Sequence, residues 1–258
     1  MSNSSDDEDE TGGLFQEPEG FYEPEKEPTF VHHRMINGDQ LTMRLVGHNP
    51  LWGHLLWNAG RTLADYFETN ATTLIKDKTV LELGAGAGLP SLMSAIHGAK
   101  QVVVTDYPDA DLIENLTYNI QHCPHLPQSG EKNIVAEGFL WGASPTPLTA
   151  HLPPNEDSGF DLLILADLLF NHSEHTKLLA TVQQTLSHSP SAQALVFFTP
   201  YRPWLLQKDL AFFDLAREGG FEVEKIMEKV MDKVMFEEDP GDELLRRTVF
   251  GYRLRRII

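Results

Sequence analysis

From residue 29 onwards, apolar and polar positions alternate between the period of a strand and the period of a helix. Residues 29–36 and 40–46 read as short strands, and Asn37-Gly38-Asp39 between them is a hairpin turn. Residues 50–68 follow helical spacing, with Trp52, Leu55, Leu56, Ala59, Leu63, Tyr66 and Phe67 on one stripe. Trp57 falls off that stripe by more than a quarter turn, so it must pack on something else, either a covering loop or a bound ligand. Strand-like runs at 80–83, 102–105, 133–140, 160–167 and 194–198 then alternate with helix-like runs at 89–97, from 109 onwards, 172–187 and 203–217. The run 109 onwards turns Ile113, Leu116, Thr117 and Ile120 to one face, with Asp109 and Asp111 at its positive end. Asn171 and Glu174 make a capping box for the 172–187 helix, which leaves His172 and His175 as surface or helix-start residues. Alternating strands and helices predict an α/β fold with a mostly parallel sheet and helices on both faces. The continuous apolar run at 160–167 marks a strand covered on both sides. Residues 221–227 and 248–254 have no crossover helix between them, although 228–235 could form a short one, so this last pair is expected to be antiparallel.

One stretch organises the rest. Val80–Leu83 runs into Gly84, Gly86 and Gly88, and Pro90 stands where a helix would take its first turn. A strand–glycine–helix turn lets backbone N–H groups approach a ligand. The dinucleotide fingerprint G-x-G-x-x-G would need glycine at Leu89. The Gly84-x-Gly86-x-Gly88 spacing, with Glu82 two residues ahead, fits an S-adenosylmethionine loop better. Asp106 ends the next strand 22 residues after Gly84, where an acid accepts hydrogen bonds from ribose hydroxyls. Asp167 ends the 160–167 strand, at the carboxyl edge where ligands of parallel sheets sit.

Composition narrows the setting. The 258 residues are 41% hydrophobic, enough for a full core, and Cys123 is the only cysteine, so no internal disulfide forms. His122-Cys123-Pro124-His125 lacks the second pair of ligands that a metal site needs. No stretch approaches the roughly 20 apolar residues of a membrane span, and the first thirty residues lack a signal-peptide core. A cytoplasmic protein with no membrane partner is expected. Net charge is −18, and residues 1–28 hold ten acids against Lys26 alone. Such a surface repels nucleic-acid phosphates and attracts a basic partner. Residues 1–13 read as a solvated, disordered tail, and 15–28, with Phe15, Phe21, Tyr22 and three prolines, as an arm. Residues 29–258 then form one domain.

Several stretches carry a resemblance. They are Gly13-Leu14-Phe15, Glu17-Pro18-Glu19-Gly20-Phe21, Arg44-Leu45-Val46-Gly47, Pro50-Leu51-Trp52-Gly53-His54, Leu56-Trp57-Asn58-Ala59, the glycine loop, Ala166-Asp167-Leu168-Leu169-Phe170-Asn171-His172 and Pro200-Tyr201-Arg202-Pro203. The chain resembles the class I S-adenosylmethionine-dependent methyltransferases, in the branch that methylates protein lysines. More narrowly, it is similar to the fungal enzymes that modify the N-terminal glycine and adjacent lysine of translation elongation factor 1-alpha. The resemblance implies a Rossmann-like seven-stranded sheet with an antiparallel C-terminal strand, extended at its start by the hairpin and first helix. It implies that Gly84, Ala85 and Gly86 hold the methionine end of the cofactor and that Asp106 binds the ribose. Trp141 would lie against the adenine, with Trp57 and Ala166 lining the same pocket. Many relatives carry D-x-x-Y after the fourth strand, whereas this chain has Asp167-Leu168-Leu169-Phe170.

Methyl transfer to an amine is mostly a matter of holding a neutral nitrogen in line and excluding water. An α-amine, with a pKa of about 7.7–8.0, is substantially neutral near pH 7, whereas lysine at about 10.4 is nearly all charged. Asp167 and Tyr201 are the candidate catalytic residues. Asp167 would orient the amine or take its proton, and Tyr201 and Phe170 would be walls. A structural strand-end role for Asp167 is the alternative. The expected partner is a protein substrate with a basic N-terminus, translation elongation factor 1-alpha in the resemblance, on which a monomeric enzyme would act. A small-molecule methyltransferase, a non-catalytic cofactor-binding module and a nicotinamide oxidoreductase are the competing readings.

Overall fold

The structure is a computed structural model that describes residues 27–47, 53–127, 130, 132–154 and 159–257. Residues 1–26 of the expected arm at 1–28, and Trp52 with the start of the first expected helix, lie outside the described residues. In chain order the elements are β1 (Thr29–Arg34), β2 (Gln40–Leu45), α1 (Asn58–Leu74), β3 (Thr79–Leu83), α2 (Leu89–Ile96), β4 (Gln101–Asp106), α3 (Ala110–Gln121), β5 (Ile134–Gly138) and α4 (Thr146–Thr149). They continue with β6 (Leu162–Ala166), α5 (His175–Thr185), β7 (Gln193–Phe198), α6 (Leu206–Glu218), β8 (Phe221–Val230), α7 (Glu243–Arg246) and β9 (Thr248–Arg256). Among the described residues, β1 and β2 form an antiparallel hairpin, and a seven-stranded sheet runs in the order β5-β4-β3-β6-β7-β9-β8. Its first five strands are parallel, and β9 enters antiparallel between β7 and β8. The mixed, mostly parallel sheet is the one the sequence predicts. The strand order reverses between β3 and β6, and the glycine loop leaves β3 at that point.

The period of two along the central strands divides the interior into two cores. Leu162, Ile164, Leu195 and Phe197 face α1, α2, α3 and the hairpin, while Leu163, Leu165, Val196 and Phe198 face α5 and α6. Every residue of β3 and β7 is buried, as strands covered on both faces must be. The hairpin is fastened to α3 by Arg44. Its N–H and Nε donate to Asn119 Oδ1 and Asn115 Oδ1 (2.7 and 2.8 Å), its carbonyl accepts from both amides, and its guanidinium lies 4.0 Å over the Tyr118 ring. Asn119 also donates to the Ala87 carbonyl, so the hairpin and the glycine loop share one polar anchor.

Several elements depart from the expected boundaries. Helix α1 begins at Asn58, because residues 53–55 turn and the first helical N–H groups are satisfied from across the sheet. It runs on to Leu74 through non-helical Asn70, whose side-chain amide donates to the Tyr66 carbonyl. The buried face of α3 is Leu112, Asn115, Leu116, Asn119 and Ile120, since Arg44 draws two asparagines inward and leaves Ile113 and Thr117 partly covered. Residues 172–174 form a 3-10 turn and α5 starts at His175. The capping box does not form. Asn171 Oδ1 accepts from the Ser173 hydroxyl, and Glu174 pairs with Lys177. The histidines are not surface residues either. His175 is buried with Nε2 on the Leu169 carbonyl (2.8 Å), and His172 Nε2 meets Asp209 Oδ1 at 2.6 Å. Finally, β8 extends to Val230, so the short helix at 228–235 gives way to a loop in which α7 is the helical turn.

Gly251 of β9 stands opposite Phe197 of β7, and a Cβ there would lie 2.6 Å from the ring. Phe197 is fully buried and has no room to retreat. Gly251→Ala is expected to destabilise the protein by about 1–3 kcal/mol through overpacking, measured by urea unfolding with an unchanged m-value.

Candidate active site

At the carboxyl edge of β3, β4 and β6 lies a cavity of about 430 Å³. It is lined by Trp57, Glu82, Gly84, Ala85, Gly86, Asp106, Trp141, Ala166, Asp167 and Phe170, among others. Every residue the sequence assigned to cofactor binding is therefore brought to one place. Gly84 has φ +60°, and a Cβ on it would fall 2.6 Å from Leu168 and 3.3 Å from Trp141. Gly86 has φ +57° with no atom within 4 Å of a would-be Cβ, so its backbone faces open space. A side chain at either position would be strained, and at Gly84 it would also clash.

Three of the loop's N–H groups turn to the protein instead of the cavity. Ala85 N–H donates to the Thr105 carbonyl, Gly86 N–H to Asp106 Oδ2 at 2.7 Å and Gly88 N–H to the Ala85 carbonyl. A phosphate nest needs such donors free. These are consumed by the protein, and the titratable lining is mainly acidic, with Glu82, Asp106, Asp167 and Glu174 against Lys177, which pairs with Glu174. The cavity suits a cationic ligand with a ribose far better than a dinucleotide pyrophosphate. Asp106 is half-buried, and its Oδ1 accepts from Tyr107 N–H at 2.7 Å. Burial raises its carboxyl above the usual range, against the pull of these two N–H donors.

Two buried acids tie the site together. Glu82, 1% exposed, accepts the Ser91 N–H at the start of α2 (2.9 Å), and burial pushes its pKa up to about 8. Asp167 accepts the Ala59 N–H at the start of α1 (Oδ2, 2.9 Å) and the Thr199 N–H after β7 (Oδ1, 2.7 Å), and the Tyr201 hydroxyl also bonds to it. Burial pushes Asp167 up to about 7 against these three donors. Its backbone is left-handed, with φ +55°. The Tyr201 phenol, buried beside that carboxylate, is raised well above its ordinary value.

Beyond Asp167 a second cavity of about 250 Å³ opens. It shares Trp57, Asp167 and Phe170 with the first and adds Phe198, Thr199, Tyr201, Arg202, Asp209, Phe236 and Asp239. Trp57 meets Tyr201 edge-on at 5.0 Å and Phe236 at 5.9 Å, and Tyr201 lies 5.8 Å from Phe236. Trp57 thus lines both cavities and is also met by Phe236 of a distant loop. Phe236, Asp239 and Tyr107 were not singled out from the sequence. A lone phenylalanine in a polar loop carries no periodic signal, whereas Tyr107 follows directly on Asp106 and could have been found by that adjacency.

The geometry has counterparts. A family model described as lysine methyltransferase matches residues 36–218. The protein N-terminal and lysine N-methyltransferase of Aspergillus fumigatus is 55% identical over 95% of this chain and 93% of its own length. Among solved structures, P. horikoshii TYW2 in complex with MeSAdo aligns with a TM-score of 0.51 at 17% identity, covering 89% of this chain and 72% of that one. The YcgJ protein of Bacillus subtilis aligns at 0.53 and 13% identity, covering 76% of this chain and 99% of its own. At these identities the two structures share the fold.

Glu82 gives a pH test. A carboxyl raised in the folded state favours folding below its unfolded pKa, and that contribution is lost as pH rises through about 8. Glu82→Gln keeps an acceptor for Ser91 N–H and removes the titration. Its melting temperature is expected to gain on the parent protein's as pH rises from 5 to 9, measured by scanning calorimetry of both.

Proposed function

Because this chain belongs to the lysine methyltransferase family, we propose that it transfers a methyl group from S-adenosylmethionine to amines at the N-terminal end of a protein. The acceptors are the α-amine and an adjacent lysine, and the substrate is translation elongation factor 1-alpha in the cytoplasm. The observation that carries this reading is the pair of adjoining cavities sharing Trp57, Asp167 and Phe170. One is acidic and glycine-lined and fits the cofactor; the other is aromatic and fits an amine. S-adenosylmethionine, when bound, supplies an electrophilic methyl group. Gly84, Ala85 and Gly86 would accommodate its amino-acid end, Asp106 its ribose, Trp141 its adenine, and Trp57 and Ala166 the wall between.

Asp167 is proposed as a positioning residue. Its two oxygens accept two N–H groups and a phenol, which fixes the carboxylate in place. It fixes the Tyr201 hydroxyl and the start of α1, and so the wall that Trp57 provides. Phe170 occupies the place of the relatives' tyrosine. It is 42% exposed and supplies an apolar surface and no hydroxyl. Without that hydroxyl, deprotonation falls to solvent, which an α-amine with a pKa of about 7.7–8.0 tolerates and a lysine at about 10.4 tolerates poorly. Methylation of the α-amine is therefore expected to lead. The chain from residue 29 onwards acts as one catalytic domain in this reading.

The test is an in vitro reaction with labelled S-adenosylmethionine and elongation factor 1-alpha lacking its own modifications, followed by mass spectrometry of the N-terminal fragment. Methyls on the α-amine are expected. Label on a small amine or on another protein in place of this one would overturn the substrate. Asp167→Ala strands two N–H groups at about 1–3 kcal/mol each. It should lower the melting temperature and reduce turnover at least tenfold more than it weakens cofactor binding. Equal losses of turnover and affinity would make it a cofactor residue.

A further inference from the structure

The loop between β8 and β9 is folded back over the second cavity and is built to stay there. Arg246, buried, donates from Nη1 to the Phe236 carbonyl at 2.7 Å, and Arg247 donates to the Met231 carbonyl at 3.1 Å. Asp242 caps α7 through the Leu245 N–H, and Gly241 packs on the Pro203 ring. Two arginines and a short helix thus hold Phe236 edge-on to Trp57 and Tyr201. The charges around the cavity are then unequal in what they can do. Asp167 is taken by backbone N–H groups, and Asp209 by His172. Arg202 is turned to the Phe170 carbonyl. Asp239, exposed at the rim, makes no hydrogen bond or ion pair among the described residues. An aromatic cavity with one uncommitted carboxylate at its mouth is chemistry for an alkylammonium.

We propose that this loop selects the substrate: Phe236 closes the acceptor cavity, and Asp239 holds the second ammonium of a peptide whose amino terminus carries a cationic side chain at its second position. The inference rests on the reading of the protein as an N-terminal methyltransferase. One cavity then serves both acceptors. While the α-amine is presented to the cofactor cavity, the neighbouring ammonium is paired at the rim, and the two exchange places when the lysine is modified.

The experiment uses the full chain and two ten-residue peptides with free amino termini, identical except for lysine or norleucine at position 2. Norleucine keeps the aliphatic stem without the ammonium. The unaltered protein should methylate both peptides at the α-amine, with a lower KM for the lysine peptide. Asp239→Asn should raise KM for the lysine peptide about two- to fivefold, the range of an exposed ion pair, with kcat and the norleucine KM unchanged. Asp239→Lys should widen that difference. Phe236→Ala should cut kcat/KM at least tenfold on both peptides while cofactor binding, read by calorimetry, is retained. Turnover with equal KM changes on both peptides in Asp239→Asn, or none in either, would overturn the role of the loop and leave the activity standing. No transfer to either peptide by the unaltered protein would instead overturn the N-terminal reading on which the inference rests.

Discussion

Two carboxylates buried at the carboxyl edge of the sheet are the interactions on which the site depends. Helices α1 and α2 both begin without a side-chain cap of their own, at Trp57 and Gly88. The first N–H groups of a helix need acceptors. Here they are supplied from β3 by Glu82 and from the end of β6 by Asp167. Each bond joins a helix start to a strand end, and both acids line the cavity of about 430 Å³. The helix dipole favours a negative charge at both places, while burial opposes it, and the balance leaves both groups with raised pKa values. Such acids cost stability at high pH, and they hold the geometry of the cavity walls.

The same economy explains the glycine loop. Its N–H groups are directed to Thr105, Asp106 and Ala85, so the loop is rigid before any ligand arrives. Asn119 fixes it further through the Ala87 carbonyl, and by way of Arg44 it couples the loop to the hairpin. Preorganisation of this kind lowers the ordering cost of binding. The hairpin is thereby part of the site's support, although none of its residues lines either cavity.

The sheet, its helices and the residues that line the larger cavity were legible in the sequence because each rests on a local pattern. Apolar runs gave β3, β6 and β7, and a glycine spacing with an acid 22 residues on gave the loop and Asp106. What was not legible depends on long-range partners. The start of α1 is set by Asp167, more than a hundred residues away. His172 and His175 start the 3-10 turn and α5 as expected, but Asp209 and the Leu169 carbonyl draw them in from the surface. The strand expected at 221–227 runs on to Val230, where a short helix was the alternative, because Glu228–Met235 has no clean alternation. Phe236 was invisible for the same reason, since its partners Trp57 and Tyr201 come from other parts of the chain.

The placement of negative charge also addresses a conflict built into amine methylation. An amine arrives as a cation and must react as a neutral base, so acids that attract it also raise its pKa and oppose deprotonation. The conflict is eased if the free charge is kept away from the reacting nitrogen. In the proposed reading Asp239 does the attracting, exposed at the rim, where water screens it. Asp167 lies deeper, but three donors already neutralise much of its field. Between them stand Trp57, Tyr201, Phe236 and Phe170, whose faces hold an alkylammonium weakly and whose bulk removes the water that would stabilise it. Desolvation lowers an amine's pKa, so the aromatic walls favour the neutral form at the point where the methyl group is received. Capture at the mouth and neutralisation within are then separate tasks, carried by different residues of one cavity.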